Sequence, residues 1–114
     1  MLGCALLVAG CGGGEPEPPP LSAALAESLA GRSDSVASLL GQQDNCGAKS
    51  EARRLQADAI AAINTRRVPA VYQEELLADV TALAETIACP GPASAKGNEV
   101  AARSLSDWLR AAAG

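Results

Sequence analysis

Two cysteines, Cys46 and Cys89, bracket a stretch whose apolar residues recur with a helical period, and no other feature constrains the fold of this chain as strongly. Ala52, Leu55, Ala59, Ile60 and Ile63 recur at three- and four-residue steps, as do Leu76, Val80, Leu83 and Ile87. The strict alternation that marks a strand is absent. Between the two runs lies Asn64-Thr65-Arg66-Arg67-Val68-Pro69. Pro69 suits the first position of a helix and holds Val68 extended, which predicts a short turn. Two helices joined so tightly run antiparallel. The start of one, near Cys46, then lies beside the end of the other, near Cys89, and the two thiols are predicted to form a disulfide. Closing a loop of that length stabilises a small domain by roughly 4 kcal/mol, a large share of its total stability.

A hairpin buries its apolar stripes on one side only and needs another wall. Leu25, Leu29, Val36, Leu39 and Leu40 supply it as a preceding amphipathic helix, with Gly31 a candidate end of one segment and Ser33 a candidate cap of the next. Residues 41–47 are then the connection, with Asp44 and Asn45 as caps for the helix that follows. After Cys89, Pro90-Gly91-Pro92 ends the hairpin and opens a linker over residues 90–97. A last helix is expected over residues 98–114, capped by Asn98 with Glu99 in its first turn, and Ala101, Leu105, Trp108, Leu109 and Ala112 share one face of it. That face either docks on the bundle or meets a partner. The expected fold is all-α: a small antiparallel three-helix bundle over residues 21–89 with an additional C-terminal helix and one disulfide.

At 114 residues the chain has room for one domain, and its net charge of −4 gives no electrostatic footprint for nucleic acid. Its apolar residues are mostly Ala and Leu, there is no Phe, and Tyr72 and Trp108 are the only aromatic residues. Thin, closely packed helices fit that composition better than a roomy pocket. The chain has no histidine, which removes Ser-His and Cys-His nucleophile pairs together with the commonest metal ligand. Cys46 and Cys89 lack the spacing of a zinc or thioredoxin motif. No enzyme activity, metal or cofactor is expected. Glu74, Glu75 and Asp79 cluster in sequence, but their place is the first turns of a helix, where acids favour the dipole. Arg66 and Arg67 are candidates for an anionic ligand, but they directly follow a helix whose carbonyl end favours cations, and the structural role is the preferred reading. Trp108 is the residue whose exposure matters most, because a lone Trp on an apolar face is either core or an interface anchor.

The first ten residues are apolar but too short to span a bilayer, and they stop at Gly10-Cys11 before a run of glycines. This reads as a signal peptide. The tetrapeptide Val8-Ala9-Gly10-Cys11 resembles the lipobox of bacterial lipoproteins, which implies cleavage before Cys11 and lipidation of its thiol. No Lys or Arg precedes the apolar run, which predicts a start codon upstream of Met1. The competing reading is the apolar N-terminus of a cytoplasmic protein. The two or three chains of a lipoprotein anchor hold a membrane stably where a single chain does not. Residues 11–20 form the lipidated cysteine and a Gly- and Pro-rich tether, whose nine residues after Cys11 reach up to roughly 28 Å at about 3.1 Å each.

Asp44-Asn45-Cys46, Ala59-Ile60-Ala61-Ala62-Ile63-Asn64, Arg67-Val68-Pro69, Tyr72-Gln73-Glu74-Glu75-Leu76 and Ile87-Ala88-Cys89-Pro90 together resemble a group of small two-cysteine lipoproteins of GC-rich bacteria, actinobacteria especially. The resemblance implies an exported helical domain with two cysteines flanking a helix pair, and it carries no catalytic residues. The group often ends in a low-complexity tail, where this chain has a helix pattern. The expected function is a lipid-anchored, non-enzymatic structural or protein-interaction module on the extracytoplasmic side of the bacterial membrane. Its partners are that membrane and another envelope protein. The alternative is an extracytoplasmic module for a small ligand, with Tyr72, Arg66 and Arg67 as first candidates for contact.

Overall fold

A computed structural model describes residues 19–89 and 95–114. The segments that carry Cys4, the lipobox with Cys11, most of the tether and Pro90-Gly91-Pro92 lie outside the described residues. Within them the chain is a bundle of four helices with one disulfide and no strand: α1 (Ala23–Gly41), α2 (Asn45–Asn64), α3 (Ala70–Thr86) and α4 (Ala95–Ala112).

Each helix starts and stops for local reasons. The Ser22 hydroxyl accepts from the Leu25 amide at the head of α1, and the Asp44 carboxylate accepts from the Gly47 amide at the head of α2. Pro69 stands one residue before α3 as its cap, outside the first helical position expected for it. Its fixed φ of −57° sets the entry, and the Gln73 side chain donates to the Val68 carbonyl across that first turn. Both helices α1 and α2 end in a left-handed residue, Gln43 at φ 63° and Arg66 at φ 62°. The amides of Gln43 and Asp44 return to the carbonyls of Leu40 and Leu39, and those of Arg66 and Arg67 return to Ile63 and Ala62. This is the paired Schellman closure, usually built on glycine.

α1 runs unbroken through Gly31 to Asp34, so Gly31 ends nothing and Ser33 caps nothing. The reason lies in packing. Ser33 is fully buried in the stripe of Leu25, Leu29, Val36 and Leu40, where tertiary contacts outweigh the local preference of Gly and Ser for helix ends. α4 begins at Ala95, which places Asn98 inside the first turn. There Asn98 meets the Thr86 hydroxyl and backbone carbonyl at the end of α3.

Successive helices are antiparallel. Arg32 of α1 reaches Glu51 and Asp58 of α2, Gln56 of α2 donates to Thr81 of α3, and the bridge joins Cys46 in the first turn of α2 to Cys89 just past α3 with Cα atoms 4.8 Å apart. α4 lies back along α1, matched at Leu21 with Ala112, Glu27 with Arg110 and Ser33 with Ala102. The core comes from all four helices: Leu29, Leu55, Leu76 and Leu109 are each at most 1% exposed. Each such side chain contributes roughly 1.5–3 kcal/mol of transfer free energy. Ile60, counted on the core stripe from spacing alone, is 37% exposed because Ala59 and Ala62 take the inward positions of that turn.

Candidate functional site

α4 packs far more closely on α1 than on α3, and the seam between α3 and α4 is consequently open. The two helices of the seam meet near its ends. At one end Thr86 and Asn98 exchange hydrogen bonds, and at the other the rings of Tyr72 and Trp108 meet edge to face, 5.8 Å between centroids at 87°. Between these pins lies a groove of about 520 Å³, with Leu83 and Leu105 toward the core, Trp108 along α4, and Glu75 and Asp79 one turn apart along α3. No basic residue lines it, and neither carboxylate has an ion-pair partner among the described residues. Partial burial raises the Asp79 carboxyl above its ordinary value.

Tyr72 and Trp108, two of the contact candidates in the sequence, thus come together across the seam. Of the four candidates only Trp108 lines the groove; Tyr72 stands against it at the end of the seam, and Arg66 and Arg67 take no part in the lining. They sit exposed in the turn after α2, in the pole of the bundle where the Leu21 amide donates to the Ala112 carbonyl at 2.9 Å. Glu74 is exposed and does not line the groove, whereas Glu75 and Asp79 share a wall of it, a juxtaposition that the dipole argument alone does not suggest.

The opposite pole holds the disulfide. Beside it Lys49 of α2 extends its ammonium to the end of α3 and donates to the carbonyls of Ala84 at 2.7 Å and Ile87 at 2.9 Å. A cation at the carbonyl end of a helix is electrostatically favoured, and here it comes from the neighbouring helix. Spacing within one helix cannot reveal such a residue. It becomes visible only when the hairpin is paired through Cys46 and Cys89.

A second group escapes a reading based on apolar stripes. Arg110 donates to Glu27, to Asp34 at 3.0 Å and to the buried Ser106 hydroxyl at 2.6 Å, which ties the end of α4 to α1. Burial works to raise the Asp34 carboxyl. Hydrogen bonds from Ser106 and Arg110, with the charges of Arg110 and Arg103, outweigh it and hold the group below its ordinary value. Hydrogen bonding to Glu27, then to Asp34, raises Arg110 in turn. The signal in the sequence is Ser106, a hydroxyl at a buried position of α4 between Leu105 and Leu109.

Comparison of the chain with protein-family models, with curated proteins and with solved structures finds no match.

Proposed function

We propose that this chain is a lipid-anchored, non-enzymatic structural or protein-interaction module at the bacterial cell envelope, related to the small two-cysteine lipoproteins that its middle section resembles. The Cys46–Cys89 bridge carries the reading, because paired cysteines belong to oxidising compartments and the lipobox-like Val8-Ala9-Gly10-Cys11 directs the chain to one. In this reading residues 21–89 are a three-helix bundle to which the C-terminal helix is added as a further wall. Leu21, where the tether gives way to the bundle, is held against Ala112 at the pole opposite the disulfide. An anchor attached through residues 11–20 therefore leaves the flank of the bundle, with the α3–α4 groove, turned to the aqueous phase.

That groove favours a second reading, an extracytoplasmic module for a small ligand held beside Trp108. The first reading is preferred because the groove is a trough open on one side rather than an enclosed pocket.

Mass spectrometry of the membrane fraction tests the anchor. The expected mature protein begins at an acylated Cys11, and Cys11→Ser releases the chain from membranes. A soluble chain beginning at Met1 would overturn the proposal.

A further inference from the structure

We propose that the seam between α3 and α4 receives a basic amphipathic helix from a partner protein. The inference rests on the interaction-module reading and names the kind of segment that the module holds.

The shape comes first. The lining of α3 runs from Glu75 to Thr86, about three turns and roughly 16 Å at 1.5 Å per residue. The seam is pinned near its ends by Tyr72–Trp108 and Thr86–Asn98 and is open along its side. A trough of that length suits a rod such as a helix, laid apolar face down. Leu83, Leu105 and Trp108 offer the apolar surface, and Val100, 58% exposed, stands one turn before Ser104 on the rim of α4.

Charge then selects the occupant. Glu75 and Asp79 are the ionisable residues of the lining, and they stand one turn apart, matching two bases one turn apart on an incoming helix. The tether of this chain is excluded, since residues 12–20 carry Glu15 and Glu17 and no base. A second copy fits less well, since a chain with a net charge of −4 brings more acid than base to a groove whose ionisable residues are Glu75 and Asp79. A small organic cation would satisfy the acids but leave most of the trough empty.

The chain carries a single tryptophan, and it lines the groove, so its emission reports occupancy directly. The disulfide-bonded chain is titrated with a synthetic amphipathic helix of Leu and Lys, with its Leu and Glu counterpart, and with hexylamine. The basic helix is expected to saturate with a blue shift of Trp108 emission. The paired change Glu75→Lys and Asp79→Lys, at two exposed positions, is expected to weaken it by about tenfold or more without altering the thermal melt. Equal binding of the acidic helix, binding indifferent to the paired change, no saturable response, or a response to hexylamine alone would each overturn the proposal. The broader reading fails separately. If the paired variant recovers the same envelope proteins as the native lipoprotein, the groove is wrong and the module stands; if neither recovers any protein while the basic helix binds as expected, the module falls and the groove stands.

Discussion

The Ser33 hydroxyl of α1 donates to the Ala102 carbonyl of α4 at 2.6 Å, with the serine wholly buried. Two helices far apart in sequence are therefore joined by a polar bond inside an otherwise apolar contact. Such a bond fixes the rotation and height of α4 against α1, which leucine contacts alone leave adjustable. Ser33→Ala is expected to destabilise the chain by about 1 kcal/mol, because the lost bond is partly offset by better helix propensity. Ser33→Leu adds volume to a filled position and is expected to cost about 1–3 kcal/mol. Urea unfolding curves of both variants check the order of these effects.

The disulfide yields the largest single effect. Cys46→Ser and Cys89→Ser are each expected to lower stability by roughly 2–5 kcal/mol, and the double change by little more, because either one opens the same loop. Thiol titration of the denatured, unreduced protein is expected to find no free cysteine in residues 21–114. Lys49 still ties α2 to the end of α3 once the bridge is gone. Lys49→Met is accordingly expected to cost about 1–2 kcal/mol, and to cost more in the Cys46→Ser background than in the native chain. A double-mutant cycle measures that difference.

Most of the apolar stripes and the pairing of Cys46 with Cys89 were legible in the sequence, since period and turn length depend on neighbouring residues; Ile60 and Ala101 are the exceptions, both exposed, with Ala102 taking the inward position on α4. Leu76, Val80 and Leu83 are buried as their spacing implies, and Asp44 caps α2. What stayed hidden depends on tertiary partners. Ser33 and Gly31 look like breakers until α4 covers Ser33. Asn98 looks like a cap until Thr86 is found beside it. The groove was hidden for the same reason: the dipole reading takes Glu75 and Asp79 for a helix start, whereas the first turn of α3 holds no acid, and only the lean of α4 toward α1 gives these two a cleft to face.

Helix ends carry a prediction that runs against the usual cost of glycine. Gln43 and Arg66 hold positive φ, which an ordinary side chain resists by roughly 1 kcal/mol or more. Gln43→Gly and Arg66→Gly are each expected to raise stability by about 0.5–1 kcal/mol, with no change in the helical signal of the circular dichroism spectrum. The contrasting change is Gly41→Ala. Gly41 is the last residue of α1 and does not adopt positive φ, so this substitution is also expected to stabilise rather than break the turn. Thermal melts of the three variants separate this account from one in which Gly41 is the terminator.

Acid provides the last test, through the Asp34, Arg110 and Ser106 group that fastens the end of α4 to α1. Asp34 is held below its ordinary carboxylate value in the folded chain, with Ser106 and Arg110 outweighing the opposing effect of burial. The unfolded chain therefore binds the proton at higher pH than the folded one. The contribution of Asp34 to stability is complete above the ordinary carboxylate range and is lost as pH falls through the lower folded value. Its side chain is 38% exposed, so solvent screens the pair and the effect is expected to be small and to shrink in salt. Asp34→Asn is expected to flatten the acid side of the stability profile below the ordinary range while leaving the slope above it unchanged. Arg110→Met is expected to do the same and, in addition, to weaken the hold of α4, seen as faster exchange of the Leu109 and Ala112 amides. An acid profile unchanged by Asp34→Asn would mean that the Arg110 contacts with Asp34 contribute nothing to folding in solution, leaving Ser33 and the leucines to hold α4.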